Sequence, residues 1–222
     1  VSKSGWAGRM ADALAAQVSS QQLALNVSLS GNTLFQAGVN ATPYVMGASG
    51  ATTFSGQGAG AAGTARKAGF QNVANAAYGS VYERGFAEIQ KRAFRYAESV
   101  NAALAAAPPL TTAFPANSQL ATQLQTVARM IAVRQRLGMS RQVFFVATGG
   151  FDNHDDQLDD QPSLLGNVSA SLEAFYKATV ELGVSSSVTT FTQSDFGRTL
   201  TSNGDGSDHA WGGVQLVIGD AV

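Results

Sequence analysis

Cysteine is absent from the 222 residues, so disulfides, thiolate metal sites and a cysteine nucleophile are all excluded. That absence does not fix the compartment. Charge is scarce as well, at 13% against 45% hydrophobic residues, a balance that buries a sizeable core and argues against disorder. No uninterrupted apolar run is long enough to span a bilayer. The opening Val1-Ser-Lys-Ser-Gly-Trp6 lacks the basic and apolar regions of a signal peptide, though a processed or truncated chain begins the same way. Basic clusters are missing too. Residues 1–141 hold 12 Lys/Arg against four Asp/Glu, a net +8, and residues 142–222 hold two against eleven, a net −9. Because the positive residues are scattered along helical stretches rather than gathered with aromatics, no nucleic-acid partner is expected.

What is present reads as alternating helices and strands. Trp6, Met10, Leu14 and Val18 form an apolar stripe that predicts a helix over 4–19. Residues 23–29 alternate Leu, Leu, Val, Leu with Ala, Asn, Ser, the pattern of a half-buried strand. Residues 30–63, rich in Gly, Ala, Thr and Ser, predict an extended loop with a short strand near Tyr44–Met46. Helices follow at about 65–77, 80–106 and 117–137, the second ending at Pro108-Pro109 and the third at Gly138. Further strands are expected at 142–147, 188–192 and 214–218, with a helix over 163–182 between the first two. Strand, helix, strand in this order predicts one mostly parallel sheet with helices on both faces.

The chain has only two histidines, and each stands beside aspartate in a loop after an expected strand. The first loop carries Asp152-Asn-His154-Asp155-Asp156, and the second carries Asp208-His209. Eight of the ten aspartates fall between 152 and 208, where they repel one another unless solvent, protonation or a cation compensates. Imidazole with carboxylate suits zinc, manganese or iron. Asp152, His154, Asp208 and His209 are therefore the candidate metal ligands, with Asp156 in reserve four positions from Asp152. A calcium loop of the EF-hand kind does not fit, because Gln157 and Ser163 stand where glycine and glutamate are required. Arg198, one of two cations in the acidic half, is suited to grip a phosphate or sulfate oxygen or to pair with a nearby aspartate such as Asp195.

Three other motifs carry less. Gly58-Ala-Gly60-Ala-Ala-Gly63 matches a dinucleotide fingerprint, but no strand signal precedes it. Asp195-Phe196-Gly197 stands without the rest of the kinase signature set, and no serine lies in a nucleophile elbow.

The residues Gly150-Phe-Asp152-Asn-His154 with a Leu-rich helix after them, Ser194-Asp-Phe-Gly-Arg198-Thr199, and Asn203 to His209 with Gly212-Gly213 resemble the domain of unknown function 1501 family, as does the opening Gly5-Trp6-Ala-Gly-Arg9. The resemblance covers essentially the whole chain and implies membership of the alkaline phosphatase and sulfatase superfamily. It implies a three-layer α/β sandwich around one or two divalent ions, zinc or manganese, and an exported, periplasmic or secreted bacterial protein. Asp208-His209 is similar to that superfamily's adjacent ligand pair, while Asp152 and His154 are more tightly spaced than its other pair. A first aspartate would precede Val1 and a final histidine would follow Val222, so the chain is expected to be one domain, incomplete at both ends. Two functions are implied: hydrolysis of a small anionic phosphate or sulfate ester, or a non-catalytic exported binding, structural or assembly role on the same fold.

Overall fold

The computed structural model describes residues 3–15, 23–53, 56 and 60–222. Contacts divide the chain into two units, residues 1–107 with 133–145, and residues 108–132 with 146–222.

The first unit is built on three parallel strands in the order β2-β1-β3: β1 (Asn26–Ser28), β2 (Tyr44–Val45) and β3 (Val143–Phe145). Val143 N–H donates to Leu25 O at 2.8 Å, and Met46 N–H to Ser28 O at 2.9 Å. The expected pairing of 23–29 with 142–147 is present, and the short strand near Tyr44 joins it. The half-buried character expected of 23–29 is corrected: Leu23 to Leu29 are all buried, as a central parallel strand requires. The amide nitrogens of its polar side chains find partners locally, while Asn26 Oδ1 and Gln36 Oε1 are buried without one among the described residues. Asn26 Nδ2 donates to Gln36 O at 2.8 Å, and Gln36 Nε2 donates to Val27 O and Val143 O at 3.2 and 3.1 Å. Helix α1 (Trp6–Ala15) seats Trp6 edge-on against Phe35 at 4.8 Å. The remainder of the expected helix, including Val18, lies outside the described residues.

Helix α2 (Ala61–Ala74) starts four residues before the expected 65, α3 (Val81–Ala105) lies where 80–106 was expected, and α3 opens on a capping box of Ser80 and Glu83. Gly60 caps α2 and Gly63 is buried within it, so two glycines of the dinucleotide-like motif serve a helix start. Gly58 lies outside the described residues.

The second unit pairs α4 (Gln119–Ala132) with α5 (Gln157–Glu181). Buried Ser118 and Ser171 meet at 3.3 Å where α4 begins. Helix α5 starts six residues before the expected Ser163: Asp159 and Asp160 occupy its first turn, where the helix dipole favours anions, and Pro162 is accommodated inside. Four short strands complete the unit, β4 (Thr190–Phe191), β5 (Gly197–Arg198), β6 (His209–Ala210) and β7 (Val217–Ile218). They form two antiparallel ladders, β4-β7 and β5-β6.

The single mostly parallel sheet is thereby corrected, since 190–191 and 217–218 pair with each other and not with β1 or β3. The reason is the connection. Parallel neighbours need a crossover, usually helical, whereas residues 192–216 contain no helix and fold back through the β5-β6 ladder. The molecule is a mixed α/β protein with five α-helices and a small parallel sheet among the described residues.

Candidate metal centre

Both histidines lie in the second unit, on two segments stitched together by side chains. The first segment follows β3 and is fixed at its start by Gln123 of α4, a fully buried side chain. Its amide behaves as a strand neighbour would: Nε2 donates to Ala147 O at 3.0 Å, and Oε1 accepts from Ala147 N–H at 3.1 Å. Gly150 then turns the chain at φ +97°, a conformation open to glycine, and delivers Asp152 and His154.

The second segment runs from β5 to β6 and is shaped by Asn203. Its Oδ1 accepts from Asp205 N–H and Gly206 N–H at 3.2 and 2.7 Å, while its Nδ2 donates to His154 O at 3.1 Å across to the first segment. Ser207 Oγ donates to Gln157 Oε1 at 2.8 Å. Arg198, the candidate anion grip, is turned to the same task. One terminal nitrogen donates to Ser207 O, and the other donates to Phe151 O and, at 3.3 Å, to Asn153 Oδ1. None of its side-chain hydrogen bonds goes to a carboxylate among the described residues, and no ion pair with Asp195 forms. A planar guanidinium fork is suited to bridging carbonyls that diverge in this way.

The result is a four-residue cluster. His209 Nε2 lies 2.7 Å from Asp152 Oδ1, and His154 Nε2 lies 3.3 Å from the same oxygen. The other ring nitrogen of His154, Nδ1, faces Asp208 Oδ1 at 3.2 Å. The two imidazoles stand 4.8 Å apart, and Phe196 stacks on His209 at 4.0 Å with planes 19° apart. Hydrogen bonding from His209 holds the Asp152 carboxyl below its usual pKa, outweighing the smaller opposing effect of burial.

The donor set fits a divalent ion. One ligand atom each from Asp152, His154 and His209 lies within 4.8 Å of the others. Bonds of about 2.0–2.2 Å in tetrahedral geometry place donors about 3.3–3.6 Å apart, so the 3.3 Å pair already fits and the 2.7 Å pair must open by roughly half an ångström or more. Two imidazoles and one carboxylate leave a coordination position open, as catalytic zinc sites do. Of the four residues expected as ligands, the structure thus converges three and sets Asp208 behind His154. Asp156 stands apart as the N-cap of α5, at φ +52°.

Sequence reasoning missed Gln123, Phe196 and Asn203. Phe196 and Asn203 lie inside the motifs that carry the family resemblance, and Gln123 left a signal of its own, a polar residue within the apolar stripe of Leu120, Leu124, Val127 and Ile131.

A centre of two imidazoles and a carboxylate, set on loops of a mixed α/β protein, defines a candidate metalloprotein. The family described as "Protein of unknown function (DUF1501)" matches residues 2–222, and the chain belongs to it. No curated protein and no solved structure matches the chain. No helix among the described residues is long and apolar enough to cross a membrane.

Proposed function

We propose that this chain carries the metal centre of an exported, periplasmic or secreted hydrolase of phosphate or sulfate esters, built on an alkaline-phosphatase-like three-layer sandwich. The observation that carries the reading is the convergence of Asp152, His154 and His209, each exposed enough to be reached from solvent and together leaving one coordination position free. A zinc or manganese ion bound there supplies Lewis-acid polarisation of an ester oxygen and a lowered pKa for coordinated water. Asp152, His154 and His209 hold the ion, Asp208 orients His154, and the Phe196 ring fixes the plane of His209. Arg198 keeps the two loops in register, and substrate contact is left to whichever N–H groups the loop carbonyls do not take. The parallel β2-β1-β3 arrangement, with the first ligand loop following β3 in the chain, supports the sandwich reading.

The test is hydrolysis of aryl phosphate, phosphodiester and aryl sulfate by the purified protein supplied with zinc or manganese. Turnover of one class that vanishes in His209→Ala and Asp152→Asn, with the circular dichroism spectrum unchanged, is expected. Equal inactivity of wild type and variants on all three classes favours the second reading, a non-catalytic exported binding or assembly protein. That reading has its own support, since Leu200 and Trp211 are 99% exposed and Val214 87% exposed, an apolar display in the very segment that carries His209.

A further inference from the structure

Resting on the reading of the cluster as a metal centre, we infer that the four residues form a one-ion site in which Asp208 is a positioning residue and not a ligand. A single oxygen, Asp152 Oδ1, faces Nε2 of both histidines, at 2.7 and 3.3 Å, so the three donors share one focus. Two ions bridged by a carboxylate would sit about 3.5–4 Å apart and need a separate donor set for each. Asp208 does not provide one. Its Oδ1 lies 3.2 Å from Nδ1 of His154, on the side of the ring turned away from the Nε2 that meets Asp152. The two lone-pair directions of an imidazole diverge, so a carboxylate on Nδ1 cannot reach an ion held by Nε2.

That placement has a defined chemical consequence. With Nε2 given to the ion, the proton resides on Nδ1 and is donated to Asp208, which fixes the tautomer and the ring orientation and makes Nε2 more basic. Asp208 is itself held in place: its backbone carbonyl accepts from Thr199 N–H at 2.9 Å, and the following residue, His209, pairs with Arg198 in the β5-β6 ladder. Adjacent residues thereby take different parts, His209 as ligand and Asp208 as support for the histidine of the other loop. The open face is then bounded by two imidazoles and one carboxylate, a geometry that leaves a single ion to meet a single ester oxygen.

The experiment is equilibrium dialysis of the whole chain against zinc, with metal quantified by atomic emission, alongside titration with cobalt(II) read by visible absorption. Expected is one equivalent per chain in the wild type. Asp208→Asn should keep one equivalent and a similar cobalt spectrum, with affinity weakened about 10- to 100-fold. Asp152→Asn and His209→Ala should lose stoichiometric binding and the spectrum. Two equivalents in the wild type would overturn the one-ion site while leaving a metal centre in place, and so would loss of all binding in Asp208→Asn as complete as in Asp152→Asn. Absence of any zinc or cobalt binding would overturn the metal reading itself. Should Asp208→Asn fail to fold, the wild-type stoichiometry decides the first point, and nitrogen chemical shifts of the zinc-bound His154 ring decide the second: a proton on Nδ1 supports the assignment, and a proton on Nε2 overturns it.

Discussion

Gly206 leaves no room for a side chain, because a Cβ at that position would stand 2.1 Å from the carbonyl oxygen of His154. This close approach is where the two loops are pressed together, so the residue that carries no chemistry controls the residues that do. Gly206→Ala should force the loops apart and weaken zinc binding by about tenfold or more, the scale of losing support around a ligand. Unchanged zinc affinity in a folded Gly206→Ala protein would show that the loops yield without cost to the site. At this scale the sequence was informative where residue types are rare: two histidines, each beside aspartate, single out four residues, and the four side chains meet. It was silent where the partner is a backbone carbonyl. Arg198 read equally well as an anion grip or an ion-pair partner, because its bonds to Phe151 O and Ser207 O depend on a tertiary path that no local pattern encodes. Asp208 read as a ligand from its adjacency to His209, and no local pattern announces that its Oδ1 faces Nδ1 of His154.

Helix α4 holds the start of the first loop through Gln123, and Gln157 at the start of α5 accepts from Ser207 of the second loop. Gln123→Met would keep the buried volume of α4 but leave the N–H and carbonyl of Ala147 without partners, at about 1–3 kcal/mol for each unpaired group. The expected outcome is a lower denaturation midpoint together with weakened zinc binding; a lower midpoint with unaltered binding would confine Gln123 to the fold. At the other end of α5, Glu181 accepts from Thr111 N–H at 2.7 Å, Thr112 N–H at 2.8 Å and Thr112 Oγ1 at 2.6 Å. These bonds lower its pKa from 4.5 to about 2. A depressed carboxyl contributes stability that is complete above its unfolded value and disappears as pH falls through the folded one. Glu181→Gln should therefore lower the melting temperature at pH 7, with the gap to wild type narrowing between about pH 4.5 and 2. A gap that does not change with pH would remove the carboxylate from the account. Helices of this length were legible because their apolar period repeats over several turns, and α3 and α4 lie within a few residues of their expected ranges. Strand pairing was not, because Val188–Thr192 and Val214–Ile218 carry the same β-rich composition whether they join β3 or each other. Only the helix-free connection between them decides.

For the molecule as a whole, the uneven distribution of charge becomes a prediction about linkage. Residues 142–222 carry a net −9, and the cluster of Asp152, His154 and His209 lies among them, so a divalent cation bound there would relieve carboxylate repulsion while tying the two loops together. A ligand that binds only the folded state stabilises it by about 2.7 kcal/mol at one hundred times its dissociation constant. Zinc should accordingly raise the melting temperature, and a chelator should reverse the gain. Two further observations separate this from general screening of an acidic surface. Magnesium or calcium at the same concentration should give little of the effect, because those ions prefer oxygen donors and two of the three ligands are imidazoles. Amide exchange should slow at residues 149–157 and 197–212, the two segments that hold the ligands, and stay unchanged in α3, which belongs to the other contact unit. Protection spread evenly over the chain, or matched by magnesium, would mean that the cations answer the net charge and that the cluster of Asp152, His154 and His209 has no part in the effect.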